Sequence, residues 1–194
     1  MKKLTAFLAL AFFFVLHTNA QAINDAVLKD DTALVVKLIG EGKDVNAPDQ
    51  YGTTPLMAAC RWGKLNMVRI LLQNGAKPDE PRTGKGRTAL MVACAYYSGP
   101  EICGLLLKAG ANINAQANDG STALMLAANN GKVAVVELLL NQKANAYAKD
   151  SKGATALDYA NRADLELIKN SMPDQKLNKE EVVALLKKAT ESQK

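Results

Sequence analysis

Small and apolar positions recur along this chain in blocks of one length. Gly52 to Ala76 reads GTTPLMAACRWGKLNMVRILLQNGA. The front of that block returns as GRTALMVAC (Gly86 to Cys94), GSTALMLAA (Gly120 to Ala128) and GATALDYA (Gly153 to Ala160). Thr54, Thr88, Thr122 and Thr155 mark the register, 34, 34 and 33 residues apart. Such a period predicts a stack of small supersecondary units in place of one globular core.

Each unit reads as two short helices. Thr54 can cap the first, since its hydroxyl accepts from N–H groups that have no partner in the first turn. Pro55 suits the first helical position, where a missing N–H costs nothing. Leu56, Ala59 and Cys60 give that helix its apolar side, and Gly63 ends it. Met67, Val68, Ile70, Leu71 and Leu72 form the predicted buried stripe of the second helix, which Gly75 closes. Lys77 to Arg87 is a polar turn into the next unit. Neither helix is long enough to hold alone, so stacking must bury the apolar faces.

The pattern resembles the ankyrin repeat, D-x-x-G-x-T-P-L-H-x-A-A-x-x-G-x-x-x-V-V-x-L-L-L-x-x-G-A. The second unit matches through Asp49, Gly52, Thr54, Pro55, Leu56, Ala59, Gly63, Val68, Leu71, Leu72, Gly75 and Ala76. The fourth matches through Gly120, Thr122, Leu124, Ala127, Ala128, Gly131, Val135, Val136 and Leu138 to Leu140. The resemblance implies an all-α solenoid of about five helix-turn-helix repeats with short hairpin turns and a C-terminal capping helix. Two departures stand out. The family's histidine is replaced by Met57, Met91, Met125 and Asp158, and Lys143 stands where a glycine would close the second helix.

Taken in order, residues 1–22 read as a secretory signal peptide. Lys2 and Lys3 precede an apolar run from Leu4 to Leu16 that is too short to span a bilayer. Cleavage is expected after Ala22, with Ala20 as the alternative, and the mature chain is expected in the periplasm. The repeats span about 23–48, 49–78, 79–112, 113–145 and 146–170. The first helix of the first repeat is expected over Ile23 to Lys29 and its second over Thr32 to Ile39. The third repeat departs most. Its leading turn carries an extra residue and the cations Arg82, Lys85 and Arg87, and another residue is inserted around Tyr96, Tyr97 and Ser98. Asp164, Glu166 and Lys169 make the last second helix polar on one side, as an end cap requires. In 171–194, Pro173 breaks the chain. A final helix is expected from Asn178, with Glu181 in capping-box position and Val182, Val183, Leu185 and Leu186 as its apolar face. It either caps the stack or is offered to a partner groove.

Charge and composition exclude several functions. The full chain carries +5; loss of Lys2 and Lys3 with the leader leaves +3, too mild to imply nucleic acid. The one histidine, His17, lies in the leader, so the mature chain has no histidine for a catalytic dyad or the commonest metal ligand. Asp30 with Asp31, and Glu180 with Glu181, sit at helix entries or in solvent. No catalytic residue, metal ligand or cofactor is expected. Cys60 and Cys94 occupy equivalent places in successive repeats, about 8–10 Å apart, beyond the disulfide reach of about 7 Å. Cys94 and Cys103 face each other across one hairpin, where they either bridge or stay free as small buried apolar groups. An enzyme built on a cysteine would need an accessible, perturbed thiol, and both are expected to be buried.

The resemblance also implies where a partner binds: on the concave face made by the leading turns and first helices. On the family's contact positions this chain offers Tyr51, Arg61 and Trp62 in repeat two. Repeat three adds Lys85, Arg87 and Tyr96, with Tyr97 and Arg82 beside them as further candidates, and repeat four adds Asp119, Asn129 and Asn130. Trp, Tyr and Arg dominate interface hot spots because they bury much area and keep a polar tip. The implied function is protein binding without catalysis, by a chain that is monomeric when free. With the leader, the chain is also similar, more loosely, to periplasmic ankyrin proteins that protect bacteria from their own cell-wall peptidases. That likeness implies an inhibitor or immunity protein. The alternative is a stabilising partner of a periplasmic oxidative-stress enzyme such as a catalase.

Overall fold

A computed structural model of the protein describes residues 22–81, 84–96, 99–161 and 179–192. Residues 1–21 of the expected leader, Arg82, Tyr97, the polar helix expected around Asp164 to Lys169, Pro173 and the cap Asn178 lie outside these residues. Every regular element among the described residues is a helix. In chain order they are α1 (22–28), α2 (Thr32–Gly40), α3 (Pro55–Arg61), α4 (Leu65–Gln73), α5 (Ala89–Ala95), α6 (Pro100–Lys108), α7 (Ala123–Asn129), α8 (Val133–Asn141), α9 (Ala156–Asn161) and α10 (Lys179–Ser192).

The repeat chemistry explains the pairing. Thr54, Thr88 and Thr122 cap α3, α5 and α7, each hydroxyl accepting from the backbone N–H of Met57, Met91 and Met125 at 3.3, 3.4 and 3.3 Å. Those methionines are buried and fill the core where the family's histidine would stand. In the last repeat Asp158 takes over as a capping partner: its Oδ2 accepts from Thr155 N and Oγ1, both at 2.7 Å. Each seven-residue inner helix is buried on nearly every side: α5 and α7 are clasped by their own second helices and by the inner helices before and after them, and α3 packs on α4 and α5. Thus α3, α5, α7 and α9 form one row, and α2, α4, α6 and α8 form a second behind it. In α4 only Met67, Val68 and Leu71 are fully buried; Ile70 and Leu72, expected in the same stripe, are half-buried at its edges.

The turns latch one repeat to the next. Asn46 accepts from Lys77 N at 2.8 Å, Asn114 accepts from Asn145 N at 2.8 Å, and the Asp79 carboxylate accepts from Asn112 N at 3.0 Å. Gln116 Nε2 donates to Lys149 O, and Ser151 N to Asp119 O. The stacking is tight: a Cβ on Gly120, itself at φ +76°, would sit 2.7 Å from Ser151 N. Lys143 adopts φ +68°, close to the +84°, +86° and +89° of Gly42, Gly75 and Gly110 that close α2, α4 and α6. The fourth repeat therefore keeps the family turn without the family glycine.

Beyond the repeats, α10 packs on α7, α8 and α9 and buries Val182 and Leu186. The Tyr147 hydroxyl donates to the Thr190 carbonyl and pins the end of that helix. No described helix is long and apolar enough to cross a membrane.

Candidate functional site

The inner helices end in residues that point out of the stack, and there the candidate face forms. Arg61 is the last residue of α3 and Trp62 its C-cap; Tyr96 is the C-cap of α5, one repeat on. The Arg61 Cζ lies 4.4 Å from the Tyr96 ring centroid and 6.0 Å from that of Trp62. A guanidinium stacked on one ring and flanked by a second keeps its donors at the edge, directed away from the aromatic faces. Trp62 remains 56% exposed, an unusual state for the only tryptophan of the chain and one that leaves its area for a partner.

The leading turns supply the rest. Asp49 accepts from Tyr51 N and Thr53 N, both at 2.8 Å, and this Asx turn holds Tyr51 out of the stack at 67% exposure. Lys85 is exposed and Arg87 half-buried in the next turn. Asp119 accepts from Ser121 N at 2.9 Å and Ser121 Oγ at 2.6 Å, and these bonds, aided by Arg87, hold its carboxyl below the usual aspartate range. None of Arg61, Lys85 and Arg87 has a carboxylate within ion-pair distance among the described residues. Arg61, Lys85 and Arg87 are the cations of the face, and Asp49 and Asp119 are acids in its leading turns.

The predicted residues do not all share one arrangement. Arg61, Trp62 and Tyr96 touch or nearly touch; Tyr51, Lys85, Arg87 and Asp119 stand on successive turns. Asn130 is occupied locally, its amide donating to Leu126 O at 2.7 Å, while Asn129 is half-buried beside it. Arg82 and Tyr97 lie outside the described residues. Cys94 and Cys103 are thiols with sulfurs 3.9 Å apart; neither they nor Cys60 are in a disulfide, and all three are buried. Among the described residues no group of three His, Cys, Asp or Glu side chains could hold a metal ion. Sequence reasoning missed two contributors. Asp49 positions Tyr51, and its D-x-x-G spacing was the available signal. Lys132 turns its amine into the core behind the face, and nothing in its Gly-Lys surroundings distinguishes it from Lys64, which pairs on the surface with Asp30 at 3.6 Å.

Comparison with known proteins agrees with this architecture. The family described as "Ankyrin repeats (3 copies)" matches over residues 23–117 and 94–170. A putative ankyrin repeat-containing protein of Treponema pallidum is 33% identical over 136 residues, covering 70% of this chain and 45% of its own length. The ankyrin repeat, SAM and basic leucine zipper domain-containing protein 1 of Notamacropus eugenii is 35% identical over 120 residues, 60% of this chain and 25% of the relative. Neurogenic locus notch homolog protein 1 of Xenopus tropicalis is 32% identical over 160 residues, 79% of this chain and 6% of the relative. The chain thus spans less than half the length of these relatives.

Proposed function

Because the chain belongs to the ankyrin-repeat family and is a protein-binding module, we propose that it works in the periplasm as an inhibitor or immunity protein. It binds a cell-wall (peptidoglycan) peptidase of the same cell and covers that enzyme's active site. The observation that carries a binding role is the Arg61–Tyr96–Trp62 stack. An arginine already ordered between aromatic rings loses little freedom on meeting a carboxylate, and an exposed tryptophan beside it supplies apolar area at the same point. The cations Arg61, Lys85 and Arg87, without an ion pair among the described residues, favour a partner whose docking rim is acidic. The periplasmic address rests on the basic, apolar and small-residue pattern of residues 1–22.

The test is capture followed by assay. The tagged mature chain is used to retrieve partners from a periplasmic fraction, and each is then mixed with it in a defined reaction. A peptidase whose cleavage of peptidoglycan stops at one equivalent supports the reading. A redox enzyme that gains lifetime when bound moves the role to that of a stabilising partner, and a captured peptidase that keeps full activity removes inhibition.

A further inference from the structure

Three reactive side chains meet in the core behind the face, and the binding role uses none of them. Cys94 comes from α5 and Cys103 from α6, with sulfurs 3.9 Å apart and both side chains fully buried. Lys132, the N-cap of α8 in the following repeat, brings its Nζ to the same region. That nitrogen is buried and makes no hydrogen bond among the described residues. A buried amine without a partner is costly, and natural cores seldom keep one without a use.

We propose that Cys94, Cys103 and Lys132 form one buried redox site: a dithiol–disulfide couple linked to the protonation of the lysine, with a low-molecular-weight disulfide as its co-substrate. The Cys103 sulfur, as thiolate, attacks one sulfur of R–S–S–R. A Cys103–S–S–R bond forms, the R–S bond partner leaves as RS⁻ and takes up the proton Cys103 gave up. The Cys94 sulfur then attacks the Cys103 sulfur, its proton passing to the second departing RS⁻. Two protein thiols are oxidised and one small disulfide is reduced to two thiols. The sulfurs need to close by about 1.9 Å to reach the bonded length of about 2.0 Å.

The roles of the two cysteines differ. The S–H···S contact with Cys94, in which either sulfur can donate, and the Lys132 ammonium pull Cys103 below the ordinary thiol range in spite of burial. The same contact and burial push the Cys94 thiol up. Burial lowers Lys132, and the two sulfurs oppose that shift. The other ionisable groups acting on the pair are Cys60 of α3, itself pushed up by burial, and Glu101 of α6. Lys132 therefore favours the reduced state, in which a thiolate can balance its charge. Forming the disulfide removes that charge and leaves the amine isolated. Because both thiols are buried, exchange proceeds through local opening of the α5–α6 hairpin.

The experiment equilibrates the folded chain in reduced and oxidised glutathione at a series of ratios, traps free thiols after acid quenching, and counts them by mass. Two thiols should disappear together, mapped to Cys94 and Cys103, while Cys60 stays free. Lys132→Met should move the equilibrium constant toward the disulfide by about tenfold, or ~30 mV for two electrons. Three thiols persisting at the most oxidising ratio would overturn the couple, and an unchanged constant in Lys132→Met would overturn the role of the lysine. Should that variant fail to fold by circular dichroism, the pH dependence of the wild-type constant decides: a dependence identical to that of an isolated dithiol also overturns the link.

Discussion

Replacing Lys143 with glycine should stabilise the protein. Lys143 sits at φ +68° in the turn that closes α8, with its N–H on Leu140 O at 3.0 Å and the next N–H, that of Ala144, on Leu139 O at 2.9 Å. Those bonds satisfy the last carbonyls of the helix and demand a left-handed residue. An L side chain in that region costs roughly 1–2 kcal/mol. Glycine removes that cost but gives back roughly 0.5–1 kcal/mol in chain entropy. The side chain is exposed and forms no ion pair among the described residues, so its removal forfeits little else. The net gain is about 1 kcal/mol, or about 2–4 °C in Tm for a chain of this size. Urea and thermal unfolding followed by circular dichroism measure it. Lys143→Ala, which keeps the strained backbone, should gain nothing and serves as the control. Equal gains in both variants would assign the effect to charge, and a loss in Lys143→Gly would refute the backbone argument.

Further outcomes follow from the same geometry. Thr88→Ala removes a cap from α5 and should cost about 1 kcal/mol in urea unfolding. Gly120→Ala places a Cβ 2.7 Å from Ser151 N at φ +76° and should cost more, roughly 2 kcal/mol or above, or fail to fold, by the same measurement. The folded Asp119 carboxyl ionises below its ordinary value near 3.8. Its contribution is present above that value and is lost as pH falls through the lower, folded one, so Asp119→Asn should flatten the acid side of the stability–pH curve. Against the captured partner, Arg61→Ala and Trp62→Ala should each weaken binding by about 2 kcal/mol, roughly thirtyfold, in calorimetric titration, with affinity falling as salt rises.

The repeats were legible because each of their signals is local. Thr54 as a cap, Pro55 at the first helical position and Gly63 in a left-handed turn state their geometry within a few residues. Lys143 was visible as a missing glycine, yet only the backbone shows that the turn persists at φ +68°. The contact face was legible as register alone. Repeat spacing puts Arg61, Trp62 and Tyr96 on one side, but the stack of guanidinium on Tyr96 depends on how two helix ends meet across a repeat boundary. The C-terminal helix showed its apolar face in Val182 and Leu186, which says nothing of which surface covers it; α7, α8 and α9 do. Lys132 was silent because it follows a glycine just as Lys64 does. What differs is the neighbourhood, two cysteines from the preceding repeat, and that is a property of the stack.

Trp62 is the only tryptophan, so its fluorescence reports on the proposed face alone. The decisive measurement is a titration of the chain with the captured partner, on the proposed function a cell-wall peptidase, following Trp62 emission under selective excitation with a tryptophan-free or difference-corrected partner and peptidoglycan cleavage in parallel. A partner that covers Trp62 should bring a blue shift with loss of acrylamide quenching that saturates at one equivalent, where cleavage also ends. Binding with Trp62 still exposed to quencher and cleavage unaffected would contradict it.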